Sequence, residues 1–64
     1  LLTVLKRKRL ARGLKNMDVA VKVGVSETYY SKIENLTTQP NTQVIKRLEK
    51  LFATSADELF KIEE

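Results

Sequence analysis

"VGVSETYYSKIENL" runs from Val23 to Leu36, and its reading decides the rest: a glycine turns the chain and a serine restarts it. Gly24 stands where a left-handed turn is needed, a conformation that glycine alone enters cheaply. Ser26 then sits where an N-cap belongs, its hydroxyl able to accept from a free amide two or three residues on, so a helix follows from Glu27 to about Asn35. On that helix Tyr30 and Ile33 lie three apart and line up with Val25, while Glu27, Thr28, Ser31 and Lys32 fall on another face. One face packs. The other is polar and lies near the amino end.

Working outward, apolar residues at helical spacing account for nearly all of the chain. Before the turn, a short helix from Asn16 to about Val23 carries Val19, Ala20 and Val23. A first helix is expected over about 2–12, with Leu2, Leu5, Leu10 and Leu14 recurring at roughly one-turn intervals, Thr3 as a cap and Gly13 as the stop. "NLTTQPN" is the one long loop. Asn41 caps the next helix, where Val44, Leu48, Leu51 and Phe52 form the strongest amphipathic pattern in the sequence. "SADEL", Ser55 to Leu59, has the form of a capping box in which Glu58 reaches back to the cap amide, and a last short helix follows. The expectation is an all-α, compact five-helix fold with no strands. Sixty-four residues leave room for one core, so 1–64 reads as a single domain.

A content of 42% hydrophobic and 31% charged residues, with two glycines and one proline, fits a folded domain rather than a disordered chain. No cysteine and no histidine are present, which removes disulfides and the common thiolate and imidazole metal sites; no metal, cofactor or small-molecule ligand is expected. An enzyme is poorly supported, because the phosphate-cradling glycine loop is also missing and the acids form no paired pocket. No apolar run approaches the roughly 20 residues that span a bilayer, and "LLTVLKRKRL" puts its charges after its apolar residues, the reverse of a signal peptide. A soluble, cytoplasmic protein is expected, with no membrane partner. The chain opens on leucine rather than methionine, as it would where leading residues have been trimmed.

The net charge of +4 is unevenly placed. Lys6, Arg7, Lys8, Arg9, Arg12 and Lys15 give six positive charges before any acid, and the remainder sets six against eight. Local positive potential attracts phosphate backbones, although a basic helix is equally well read as a solvated face.

Two short helices joined by a tight turn, the second starting at a capped serine, make a helix-turn-helix, whose second helix can enter the major groove of DNA. The amino ends of both helices expose amide donors that favour a phosphate. In order, "LKRKRLARGL", "VAVKVGVS", "YYSKIEN", "TTQP" and "SADELF" resemble the helix-turn-helix domain of lambdoid phage repressors and the wider xenobiotic-response-element-type regulators, from Leu5 to Phe60. The resemblance implies a five-helix domain that binds double-stranded DNA, usually as a homodimer on pseudo-palindromic operators, and the leading expectation is a bacterial or phage transcriptional regulator acting as a repressor. Carried over position by position, it implies base-edge contacts from Glu27, Thr28, Ser31 and Lys32, and backbone contacts from Lys15, Asn16, Ser26, Tyr29, Asn35 and Thr38. The chemistry agrees: glutamate accepts from cytosine N4, lysine donates to guanine, and a threonine methyl touches thymine. Glu27 has an equal alternative as a first-turn residue stabilised by the helix dipole. The resemblance gives structural roles to Ala20, Gly24, Tyr30 and Ile33, and to Arg9 and Glu34 as an ion pair tying the first helix to the third.

Four features depart from the family pattern. Lys15 and Asn16 replace the usual hydroxyl residue and glutamine at the start of helix 2. Leu36 replaces a common glycine and is strained if its φ is positive. "LTTQP" lacks the basic residues that often bind backbone there, and "FATS" replaces a glycine-containing turn. The cations lie instead in helix 1, where Lys6, Arg7 and Arg12 either reach phosphates from an unusual side or act elsewhere. One module would bury only about 600–1,000 Å² on DNA, so a homodimer, formed in solution or only on DNA, is expected through the end of helix 4 and helix 5, with Phe52, Phe60 and Ile62 either at that surface or completing the core. The competing function is a protein-interaction module of the same fold, an adaptor or antitoxin half, favoured by the uncharged loop and by Glu27 at the leading read-out position.

Overall fold

The periodicity becomes five helices in the computed structural model, which describes residues 2–63: α1 (Val4–Ala11), α2 (Asn16–Val23), α3 (Glu27–Glu34), α4 (Thr42–Phe52) and α5 (Ala56–Leu59). The absence of strands does not hold. β1 (Leu2–Thr3) and β2 (Ile62–Glu63) pair antiparallel, Leu2 opposite Glu63 and Thr3 opposite Ile62. Two-residue strands are too short to show an alternating pattern, so the sequence offers no period to detect. The ribbon also shortens the first helix, which begins at Val4 where Thr3 caps it. The Thr3 hydroxyl accepts from the Lys6 amide at 3.1 Å and donates to the Glu34 carbonyl at 3.4 Å.

Helix 1 turns a different stripe inward from the one expected. Val4, Leu5 and Arg9 are buried, whereas Leu2 and Leu10 are exposed. Leu5 and Arg9 are four residues apart and share a face; Leu10 is one residue further and rotates away from it. The core cluster takes Leu5 from α1, Val19, Ala20 and Val23 from α2, Tyr30 and Ile33 from α3, Val44, Leu48 and Phe52 from α4, and Leu59 from α5. Phe52 is therefore core and is removed from the expected dimer surface. Phe60 packs partly against the cluster, and only Ile62 of the three is exposed.

Helices α1 to α4 end alike. In each, the amide of the second residue past the last full turn bonds the carbonyl five residues back: Leu14 to Arg9, Val25 to Ala20, Thr37 to Lys32 and Thr54 to Glu49. This closure needs a left-handed residue just before the donor, and those residues are Gly13, Gly24, Leu36 and Ala53, with φ of 69°, 78°, 61° and 52°. The condition attached to Leu36 is thus met. A residue bearing a Cβ pays roughly 1–2 kcal/mol in this region, at both Leu36 and Ala53.

At Gly24 the turn is held from outside. Arg47 on α4 donates through Nη1 to the Val23 carbonyl at 3.0 Å, and a Cβ on Gly24 would lie 2.9 Å from that same nitrogen. Gly24→Ala is expected to destabilise by about 1–3 kcal/mol, the left-handed backbone plus a displaced hydrogen bond. Gly13→Ala, with nothing within 4 Å, pays for the backbone alone. Equal losses in urea melts of the two variants would mean that Arg47 contributes nothing to the turn.

The last helix starts differently from the sequence expectation. Ser55 makes no side-chain cap bond; the Glu49 carboxylate, arriving from α4, accepts from the Ala56 amide at 2.7 Å, and Glu58 pairs with Lys61 instead. A long-range acceptor fills the role of the local box.

Arg9 and Glu34 form a two-pronged ion pair, Nε to Oε2 at 2.8 Å and Nη2 to Oε1 at 3.1 Å, with both side chains buried. Tyr30 completes it: the ring is core, and its hydroxyl donates to Glu34 Oε2 at 2.7 Å. Arg9 Nη1 also donates to the Leu14 carbonyl at 2.8 Å. The hydrogen bond to Glu34 raises the Arg9 pKa, and burial, then the Glu34 bond, push the Tyr30 phenol well above its usual range.

The Tyr30 shift has a direction in pH. Because the folded phenol keeps its proton to higher pH than the unfolded one, its stabilisation is complete below about pH 10 and is lost as pH rises beyond that, with a slope approaching 1.4 kcal/mol per unit. Denaturant melts at pH 9 to 11 should show a steeper decline in the parent than in Tyr30→Phe. Identical slopes would exclude this role for the phenol.

Candidate nucleic-acid interface

Ser26 begins α3 as its N-cap, its hydroxyl accepting from the Tyr29 amide at 3.1 Å. That bond fixes the first turn, and burial of Tyr30, Ile33 and Glu34 fixes the rotation of the helix. The opposite side is then left to solvent. Glu27, Thr28 and Lys32 are exposed and Ser31 is half-buried, and the four share one open cleft of about 410 Å³ with Asn16 of α2. All four residues expected at base edges are brought together, with one of the expected backbone contacts beside them.

Neither Glu27 nor Lys32 forms an ion pair among the described residues. The cleft therefore offers a carboxylate, an ammonium and two hydroxyls within one helical turn and a half, a mixed donor and acceptor set suited to base edges. Asn16 adds an acceptor. Its Oδ1 is buried without a hydrogen-bond partner among the described residues, and such an atom costs about 1–3 kcal/mol until a donor reaches it. A phosphate would use the amide nitrogen of the same side chain, since it needs a donor.

The start of α2 differs from the simple picture of an open helix end. Lys15 occupies the N-cap position, where lysine has no acceptor to offer, and only the second half of a capping box exists: the Asp18 carboxylate accepts from the Lys15 amide at 2.8 Å. Asp18 thus places a negative charge at this amino end, which reduces its attraction for phosphate.

The remaining expected backbone contacts are spread out. Lys15 and Ser26 are exposed near the cleft ends of α2 and α3, and Tyr29 is half-buried against the core cluster. Asn35 closes α3 at its far end. Thr38 lies elsewhere, in a second groove with Ile33, Leu36 and Phe60.

Sequence reasoning left the cations of helix 1 open between two uses. Arg7 donates to Glu63 on β2, and Arg12 donates to the Leu51 carbonyl while its guanidinium stands 5.0 Å over the Phe52 ring. With Arg9 in its buried pair, three of the six early cations hold the fold together. Their partners lie 25 to 56 residues away, which no local pattern reveals. Among the described residues no group of acids is placed to hold a metal ion, and no helix is long and apolar enough to cross a membrane.

A family model described as helix-turn-helix matches residues 5–59. No curated protein and no solved structure matches the chain significantly.

Proposed function

We propose, starting from the fact that the chain belongs to the lambda-repressor-like helix-turn-helix family of DNA-binding regulators, that residues 1–64 act as one module that lays α3 in the major groove of double-stranded DNA and reads sequence there. The observation that carries the reading is the cleft: Glu27, Thr28, Ser31 and Lys32 share one exposed surface with Asn16, while the other side of α3 is locked into the core. In this reading Lys32 donates to guanine, Glu27 accepts from a cytosine amino group, and Lys15, Asn16, Ser26 and Tyr29 hold the backbone. The module works in the cytoplasm as a transcriptional regulator, a repressor that blocks its operator by occupying it, and two copies bind half-sites one helical turn apart. No catalytic step is assigned to it.

An amide chemical-shift titration with a generic duplex at low and moderate salt tests the reading. Salt-sensitive shifts at Asn16, Ser26, Thr28 and Lys32 are expected, because phosphate contacts release counterions. No shifts there, or shifts confined to Lys6 and Lys8 on helix 1, would turn the search toward a protein partner.

A further inference from the structure

We infer that the recess between α2 and the second half of α4 binds an acidic segment of a partner protein, one that sets carboxylates around an apolar side chain. The recess has a volume of about 400 Å³ and is lined by Lys22 of α2 and by Arg47, Lys50 and Leu51 of α4. Arg12, at the end of α1, reaches the same place and donates to the Leu51 carbonyl. Four cations gather about one leucine, and no acid lines the recess.

Three observations choose the occupant. The first is where the local acids go. Asp18 and Glu49 are the only acids on α2 and α4, and each is turned to a backbone amide, Asp18 to that of Lys15 and Glu49 to that of Ala56. Lys22, Arg47 and Lys50 form no ion pair among the described residues. Arg47 and Lys50, three apart on one helix, repel each other, whereas a face that served solubility alone would mix signs. The second observation is that both guanidiniums are held in place. Arg47 donates through Nη1 to the Val23 carbonyl, and Arg12 stands over the Phe52 ring while it bonds Leu51. The other nitrogens of each fork have no partner among the described residues, and a fork already fixed loses little freedom when a carboxylate docks. The third is the apolar floor. Leu51 is half-buried, and the aliphatic stems of the two lysines line the recess beside it. A DNA backbone brings phosphates but no apolar side chain to cover Leu51; an acidic peptide brings both.

This surface stands apart from the cleft that holds Asn16, Glu27, Thr28, Ser31 and Lys32, and no residue lines both. Helix α2 contributes to each, through Asn16 at its start and through Lys22 about 9 Å further along its axis. A segment seated here leaves the exposed side of α3 open, so the proposal stands whether or not α3 reads DNA. Four lining residues are far fewer than the roughly 20–30 a side of a standard interface, which suits a short segment and a weak, reversible contact.

The test is a chemical-shift titration with a synthetic peptide carrying several glutamates around one leucine, beside a copy with glutamine for every glutamate and a copy with alanine for the leucine. Shifts centred on Lys22, Arg47, Lys50 and Leu51 are expected, with binding at least about tenfold weaker for the glutamine copy and roughly fivefold weaker for the alanine copy. Lys22→Glu and Lys50→Glu should each weaken the acidic peptide by roughly 5- to 10-fold, and Lys61→Glu, an equal change of net charge elsewhere, by less than about twofold. All three lysines are exposed, and the variants should melt as the parent does. No shift at the recess with millimolar peptide, equal binding of either copy, or an equal loss from Lys61→Glu overturns the proposal. A DNA duplex or inorganic polyphosphate that shifts Lys22 and Lys50 as strongly as the peptide would assign the recess to phosphate and overturn it as well.

Discussion

Arg9→Met is expected to lower the unfolding free energy by about 3–5 kcal/mol, because it leaves the buried Glu34 carboxylate without its cation. A domain of this length has roughly 3–10 kcal/mol in total, so the variant should be largely unfolded at physiological temperature. The Tyr30 hydroxyl still reaches Glu34 Oε2, but one neutral donor does not replace a two-pronged guanidinium. The triple variant Arg9→Met, Tyr30→Phe, Glu34→Leu removes the orphaned charge together with the hydroxyl that Glu34 accepts from, and should recover much of the loss, since replacing all partners of a buried polar group with apolar ones is often near neutral. Thermal melts of the single and triple variants decide it. A single variant as stable as the parent would mean that Glu34 finds water or protonates without penalty, and that the pair does not orient α1 on α3.

Lys32→Ala is expected to weaken binding to a selected operator by roughly 5- to 150-fold, or about 1–3 kcal/mol, and to relax preference at one base pair. Lys32 is exposed in the cleft between α2 and α3 and its ammonium has no ion-pair partner among the described residues, so the substitution should leave the melting curve unchanged. The pattern of loss tells the two uses of a lysine apart. A base contact loses discrimination at one position, whereas a phosphate contact weakens all sequences alike and lowers the salt slope by about one. Competition against single-base operator variants at two salt concentrations measures both, and a uniform loss would move Lys32 from the base-reading set to the backbone set.

What the sequence revealed and what it hid follow from the range of the interactions involved. The two helices around Gly24 were legible almost to the residue, because Ser26 and Gly24 act on amides within five positions of themselves. Asn41 was legible for the same reason, its side chain accepting from the Val44 amide at 2.9 Å. The α5 cap was misread because the winning acceptor, Glu49, belongs to the preceding helix and is brought there by tertiary packing. Phe52 could be placed on an amphipathic stripe but not assigned to core or interface, since periodicity gives direction and not what lies opposite. The resemblance supplied the Arg9–Glu34 partnership. It gave no hint of the Tyr30 hydroxyl, which brings a donor into the middle of the core. The side chains proposed for base read-out were named from spacing and resemblance, and the fold gathers them on one surface. Thr38, expected at the DNA backbone rather than at base edges, lies outside that surface, in the groove with Ile33, Leu36 and Phe60.

The ribbon formed by β1 and β2 has a mechanical consequence. Leu2 and Glu63 are opposite one another at its outer rung, so a load applied ahead of β1 and after β2 pulls the strands apart sideways and breaks the rungs one after another. Such peeling needs far less force than sliding strands past each other, where all rungs must fail together. Tension applied beyond β1 and β2 would therefore open the fold first at this ribbon, releasing the Thr3 cap of α1 and its hold on the Glu34 carbonyl.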